Sequence, residues 1–202
     1  MKLGYREGVD FLSHFLKSKN NSDRTVLAIC GGSCSGKSSL ARDVLAQVGT
    51  KRVTLIPVDS YSKGISEQTD AIEFDSPQSY DIPLLTKHVN SITNGAVEIA
   101  LPVYDAKISS RRGYSNILIS NLVIIEGLYA IQPQFLEAIN LPVFIDTTEN
   151  IMTERRVYRS AELYGTDRVT ILKKMKNVVL PNYRKNIYPL KRFASVVISN
   201  NI

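Results

Sequence analysis

The sequence predicts an α/β fold built on a mostly parallel sheet with helices on both faces. Two observations carry that prediction: short apolar runs alternate with segments of helical periodicity, and those runs are continuously apolar, as in strands buried on both sides. A third is a glycine-rich stretch set directly between a run of the first kind and a segment of the second.

Val9, Leu12, Phe15 and Leu16 follow a helical period, so residues 1–22 read as an N-terminal helical extension that packs by its apolar face. Residues 25–30 are β-branched and apolar, Gly31 and Gly32 follow at once, and 38–48 reads as a helix starting directly after Lys37. Further buried-type strands are expected at 53–58, 122–125, 143–145 and 194–198, with helices at 82–93, 133–139, 148–163 and 169–179. Residues 97–121 look like a small strand-rich insertion, and neither a repeat nor a low-complexity linker interrupts the chain.

At 202 residues and 22.5 kDa, with 44% hydrophobic and 22% charged residues, the chain has the arithmetic of one domain spanning 1–202. The longest apolar runs fall far short of the roughly 18 residues of a membrane span, and the N-terminus lacks the apolar stretch of a secretory signal. A cytosolic protein without a membrane partner is expected. Cys30 and Cys34 supply neither a disulfide framework nor a four-ligand zinc site and read as free thiols. The net charge of +6 is uneven: residues 151–202 carry eleven Lys and Arg against three Asp and Glu, +8, and the first 150 residues carry −2. Such a basic segment suits a polynucleotide surface or a lid over phosphates. Its aromatics, Tyr158, Tyr164, Tyr183, Tyr188 and Phe193, suit lid and core packing better than base stacking, and no nucleic-acid partner is expected.

Gly31-Gly32-Ser33-Cys34-Ser35-Gly36-Lys37-Ser38, continued by Ser39, satisfies G-x-x-x-x-G-K-[ST] between a strand and a helix. Glycines let successive N–H groups turn towards phosphate oxygens, and the following helix adds its positive end. Lys37 is placed to bridge β- and γ-phosphates, and Ser38 to offer a hydroxyl to Mg²⁺. Cys34 reads as a small loop residue. No Asn/Thr-Lys-x-Asp guanine-reading tetrad occurs, and a chain of 202 residues with one nucleotide motif is a poor mechanical motor. A small phosphotransferase remains.

Asp59 follows 53–58, where a carboxylate would project from the carboxyl end of a strand beside the phosphate loop. It could accept a hydroxyl proton or hold a water on Mg²⁺, and a turn Asp is the alternative. Glu126 ends 122–125 and precedes Gly127, the form of an Mg²⁺-coordinating strand end, with a surface Glu as the alternative. Asp146 has the same layout after 143–145 and reads equally as structural.

With Val58-Asp59-Ser60-Tyr61, Phe74-Asp75-Ser76-Pro77, Pro102-Val103-Tyr104-Asp105, Ile124-Ile125-Glu126-Gly127 and an Arg-rich helix following the loop, residues 25–199 resemble the uridine kinase and phosphoribulokinase family of P-loop kinases. The resemblance implies ATP- and Mg²⁺-dependent phosphorylation of a hydroxyl on a small metabolite, a nucleoside such as uridine or cytidine or a related sugar-like acceptor. It also implies a P-loop kinase fold with a parallel five-stranded sheet flanked by helices, a small β insertion at 97–121 and an Arg-rich helical lid at 150–180. Carried over, Asp59 becomes the general base, Asp75 a partner for sugar hydroxyls, Tyr104 an aromatic wall for the acceptor, and Arg156 an arginine on its hydroxyls. Arg159 faces the transferring phosphate, where a guanidinium neutralises equatorial charge. Asp75 before Ser76-Pro77 suits a turn as well, and the arginines suit a solvated helix face. Where a uridine kinase carries an aromatic and a histidine that read the pyrimidine, this chain has Ala106 and Ser109. Ser62 replaces an aromatic, and Tyr164-Gly165-Thr166 replaces the lid's Arg-Gly-Arg, with Arg168 the nearest basic residue. The alternative is a catalytically impaired nucleotide-binding regulator. An adenine pocket is sought near 188–193, and a homo-oligomer is left open.

Overall fold

A computed structural model of the chain describes residues 1–19, 23–64, 75–105 and 108–201. In chain order the elements are β1 (Lys2–Gly4), α1 (Tyr5–Lys17), β2 (Thr25–Gly31), α2 (Lys37–Val48), β3 (Val53–Pro57), α3 (Ile82–Thr93), β4 (Glu98–Asp105), β5 (Ser110–Leu118), β6 (Leu122–Glu126), β7 (Leu141–Asp146), α4 (Glu149–Tyr164), α5 (Arg168–Lys174) and β8 (Val196–Ser199).

The main sheet has six parallel strands in the order β1-β8-β7-β2-β6-β3. Five occupy the expected positions. The additional strand, β1, lies inside the stretch read as purely helical; three residues carry too little pattern to announce a strand, and pairing with β8 supplies their partners. Also, β6 lies between β2 and β3, so the strand leading to Asp59 is one place removed from the phosphate-loop strand and not its neighbour.

Successive residues of β2 point to opposite faces, and both faces are apolar. Leu27 and Ile29 join Val9, Leu12 and Leu16 of α1 and Leu40, Ala41 and Val44 of α2 on one side. Val26, Ala28 and Cys30 join Leu85, Val89 and Ile92 of α3 and Phe144 of β7 on the other. Val157 of α4 and Ile171 of α5 form a separate small cluster with Met175 and Val179.

Strands β4 and β5 form an antiparallel hairpin with an irregularity between Val103 and Tyr104, as the insertion at 97–121 anticipates. Arg24 fastens its base, donating to the carbonyls of Ile119 (3.0 Å), Ser120 (2.9 Å) and Ala96 (3.0 Å). Helix α3 keeps its expected bounds because Asp81 caps the Leu84 amide at 3.1 Å and Pro83 stands in its first turn. Two expected α-helices differ. Pro133–Ala138 is a 3₁₀ segment kinked at Phe135, and the helix expected at 169–179 is α-helical only to Lys174. Met175–Val179 and Tyr183–Ile187 are π-helical on either side of Pro181, which has no amide hydrogen for an α-helical bond.

Candidate active site

The carboxyl ends of four neighbouring strands meet at one edge of the sheet: Ile29 and Pro57 both pair with Glu126, and Gly31 pairs with Ile145. Open α/β sheets hold their ligands there. A cleft of about 720 Å³ opens above these ends and is lined by Ser33, Cys34, Gly36, Lys37, Ser38, Ser39, Asp59, Asp75, Tyr104, Glu126, Arg156 and Arg159. These were marked in the sequence; Tyr5, Arg42, Tyr80, Arg155 and Asn200, which also line the cleft, were not. Gly31, Gly32 and Ser35 complete the loop without lining the cleft.

The loop runs from β2 into α2, with Cys34 (φ 60°) and Gly36 (φ 102°) in the left-handed region. Gly36 is required twice over: its φ disfavours a side chain, and a Cβ there would collide with the Asn200 amide. Lys37 is buried, and its Nζ donates to the Gly32 carbonyl at 2.7 Å. The Ser35 carbonyl accepts from Thr147 Oγ1 (3.0 Å), Asn200 Nδ2 (2.8 Å) and Arg155 (3.3 Å). Neither Asn200 nor Arg155 was singled out in the sequence. The Arg155-Arg156 pair offered a faint signal; a single Asn beyond the final strand offered none.

Ser38 Oγ donates to Glu126 Oε1 at 3.1 Å. These are hard oxygen donors at the mouth of an anion cradle, a set suited to Mg²⁺ completed by phosphate oxygens and water. Burial raises the Glu126 carboxyl above its ordinary value, Lys37 opposes the shift, and Asp59 adds to it. Asp59 stands in a 3₁₀ turn, Val58–Tyr61, immediately after β3, and the Tyr80 hydroxyl approaches its Oδ1 at 3.5 Å. Tyr80, unmarked in the sequence, is thus a wall of the cleft.

Asp75 is buried, has φ 67°, and keeps Oδ2 without a hydrogen-bond partner among the described residues. Its backbone carbonyl accepts from the Tyr129 hydroxyl. Burial raises its carboxyl, and Arg156 opposes that shift most. Arg156 donates to Ser33 Oγ at 2.8 Å, so α4 reaches across the loop. Arg156 is therefore held over the loop, whereas Arg159, which also lines the cleft, is exposed.

Some readings move elsewhere. Asp146 accepts from Lys191 Nζ at 2.7 Å and lines a separate cavity of about 330 Å³ with Tyr183, Tyr188 and Asn201, which favours its structural reading. Tyr188 therefore faces away from the main cleft, and no residue of 188–193 lines it. Ser109 lines a third cavity of about 320 Å³, which shares Tyr104 and Arg156 with the main cleft and also includes Tyr164 and Thr166. Phe74 and Ala106 lie outside the described residues. Of the basic segment, Arg168 pairs with Glu154, Arg184 with Glu149 and Lys191 with Asp146.

The model of the phosphoribulokinase / uridine kinase family matches residues 26–201. A uridine kinase of Halalkalibacterium halodurans is 31% identical over 182 residues, covering 86% of this chain and 84% of that one. Uridine-cytidine kinase A of Dictyostelium discoideum is 28% identical over 193 residues, 92% of this chain but 38% of that longer protein. Among solved structures, one from Silicibacter sp. TM1040 described as a fructose transport system kinase superposes with a TM-score of 0.80 at 15% identity, covering 94% of this chain and 98% of the other.

Proposed function

This chain belongs to the phosphoribulokinase / uridine kinase family and is a phosphotransferase acting on a hydroxyl acceptor, and from that premise we propose that it transfers the γ-phosphate of Mg²⁺-bound ATP to a nucleoside such as uridine or cytidine, or to a related sugar-like acceptor. The observation that supports this most is the meeting of Lys37, the Ser38–Glu126 pair, Asp59 and Asp75 in one cleft.

The acceptor enters with its sugar hydroxyls towards Asp75 and Arg156 and its body along Tyr104. A carboxylate accepts from hydroxyls, and Asp75 brings one to the wall of the cleft. Asp59 takes the proton of the attacking hydroxyl while its oxygen bonds to the γ-phosphorus. The bond from that phosphorus to the β–γ bridging oxygen breaks, and ADP leaves with the electron pair. Lys37 exchanges the Gly32 carbonyl for the β- and γ-phosphate oxygens, and Arg159 neutralises charge on the equatorial ones. Ser38, Glu126 and, through water, Asp59 would hold Mg²⁺, which supplies charge neutralisation on the phosphates when bound.

The test is ADP release with Mg²⁺-ATP across uridine, cytidine, other ribosides, pantothenate, glycerate and sugar phosphates. One acceptor is expected to dominate, with Asp59→Asn lowering its turnover by about 10² to 10⁴ while ATP still binds, and Lys37→Ala weakening both. ATP binding without transfer to any acceptor would replace this reading with the nucleotide-binding regulator.

A further inference from the structure

The main cleft has a wall that the phosphate-transfer machinery leaves unused: Tyr5, Arg42, Arg155 and Asn200. Tyr5 is the first residue of α1, in the segment whose sequence signal was only an amphipathic helix. Strand β1 brings it to the cleft. Gly4 pairs with Ser199 of β8, and the next residue, Asn200, is the one whose amide donates to the Ser35 carbonyl at 2.8 Å. Tyr5 therefore sits beside the fastening of the phosphate loop. Its hydroxyl donates to Asp43 Oδ2 of α2 at 2.8 Å, which ties the ring to the helix that starts the anion site. Arg42 and Arg155 line the same cleft as Tyr5.

The polarity of a strand–loop–helix phosphate site sets what must lie here. Its lysine meets the β- and γ-phosphates, which places the γ end beside Lys37, Glu126 and Asp59, and the chain of phosphates continues towards the start of the helix. Past Ser38 and Ser39 along α2 comes Arg42, one turn on. A nucleoside carried by those phosphates emerges at the wall that Tyr5 and Arg42 form. A tyrosine ring flanked by guanidinium groups gives a planar heterocycle a stacking surface.

We propose that Tyr5 is the stacking residue for the base of the nucleoside triphosphate, so that the sixth strand and α1 are part of the nucleotide site. This rests on the ATP reading above, and the two can fail separately. Titration calorimetry with Mg²⁺-ATP and with inorganic triphosphate separates the base from the phosphates. The parent protein is expected to bind ATP more tightly than triphosphate. Tyr5→Ala and the bulkier Tyr5→Leu should each weaken ATP about tenfold to a hundredfold and leave triphosphate unchanged, which also reports an intact loop. Tyr5→Phe keeps the ring, loses only the Asp43 bond, and should bind ATP within about threefold of the parent.

Unchanged ATP affinity in both Tyr5→Ala and Tyr5→Leu would overturn the inference. Equal losses for ATP and triphosphate would overturn it too, as would a Tyr5→Phe variant as weak as Tyr5→Ala. A parent protein that binds neither ligand would remove the ATP reading itself, and this inference with it.

Discussion

Asp75 carries a carboxyl whose charged form burial disfavours, at the place proposed above for an acceptor's hydroxyls. Because burial raises its folded-state value above the unfolded one, the unfolded chain gives up its proton first as pH rises. Stability therefore declines from the usual carboxylate range up to the folded value and stays lower beyond it. Arg156 moderates this without cancelling it. Asp75→Asn keeps the shape and removes the charge. The variant should be more stable than the parent at about pH 7, with the difference shrinking towards about pH 4, while acceptor KM rises. Urea denaturation at the two pH values checks it, and an equal difference at both would exclude a buried charge as the cause. At this scale the sequence was most legible where chemistry is dense: the loop, Asp59, Asp75 and Glu126 all stand at strand ends or in short motifs. Tyr5, Tyr80 and Asn200 were invisible because each stands alone in the chain and acquires its role from residues far away.

Among elements, the hairpin of β4 and β5 contributes Tyr104 to the cleft and is fastened at its base by one guanidinium. Arg24→Ala leaves three carbonyls without that donor, which should cost about 1–3 kcal/mol. The loss should be read as faster amide exchange across residues 96–120 and a raised acceptor KM; unchanged exchange there would refute the fastening role. The strands that carry the sheet were legible as apolar runs because both faces are covered, so no alternation dilutes the signal. Helix boundaries were legible where a cap stands, as at Asp81, and failed where proline redirects the backbone, as around Pro181. Sheet order was not legible at all. Nothing local in 122–126 says that β6 separates β2 from β3; that is decided by which crossover packs against which face.

For the molecule as a whole, the sheet is the rigid part that holds four strand ends in register, with an apolar layer on each side. Phe144, fully buried on β7, fills the layer beneath α3 and beside the helical turns near Tyr188, with which it makes an edge-on contact at 6.4 Å between ring centres. Phe144→Ala should lower unfolding free energy by about 3–5 kcal/mol, measured by urea denaturation; a loss below about 1 kcal/mol would mean the layer collapses to fill the space. The small cluster around Ile171 meets the layer beneath α3 through Leu180, which packs against both. Met152 ties α4, which carries Val157 of that cluster, to the layer beneath α3.

The pairing of β1 with β8 has a consequence for manufacture. The Met1 ammonium donates to the Ser195 carbonyl across a separation of 194 residues. On a ribosome, β1 emerges first and its partner follows after roughly 10 to 40 seconds of elongation. Until then the Tyr5 wall and the Asn200 fastener of the phosphate loop cannot come together, although Lys37, Asp59 and Glu126 are already outside the tunnel. A nascent chain thus holds the reactive groups before it holds the frame that orders them, because the two strands that close this edge lie at opposite ends of the sheet's chain order.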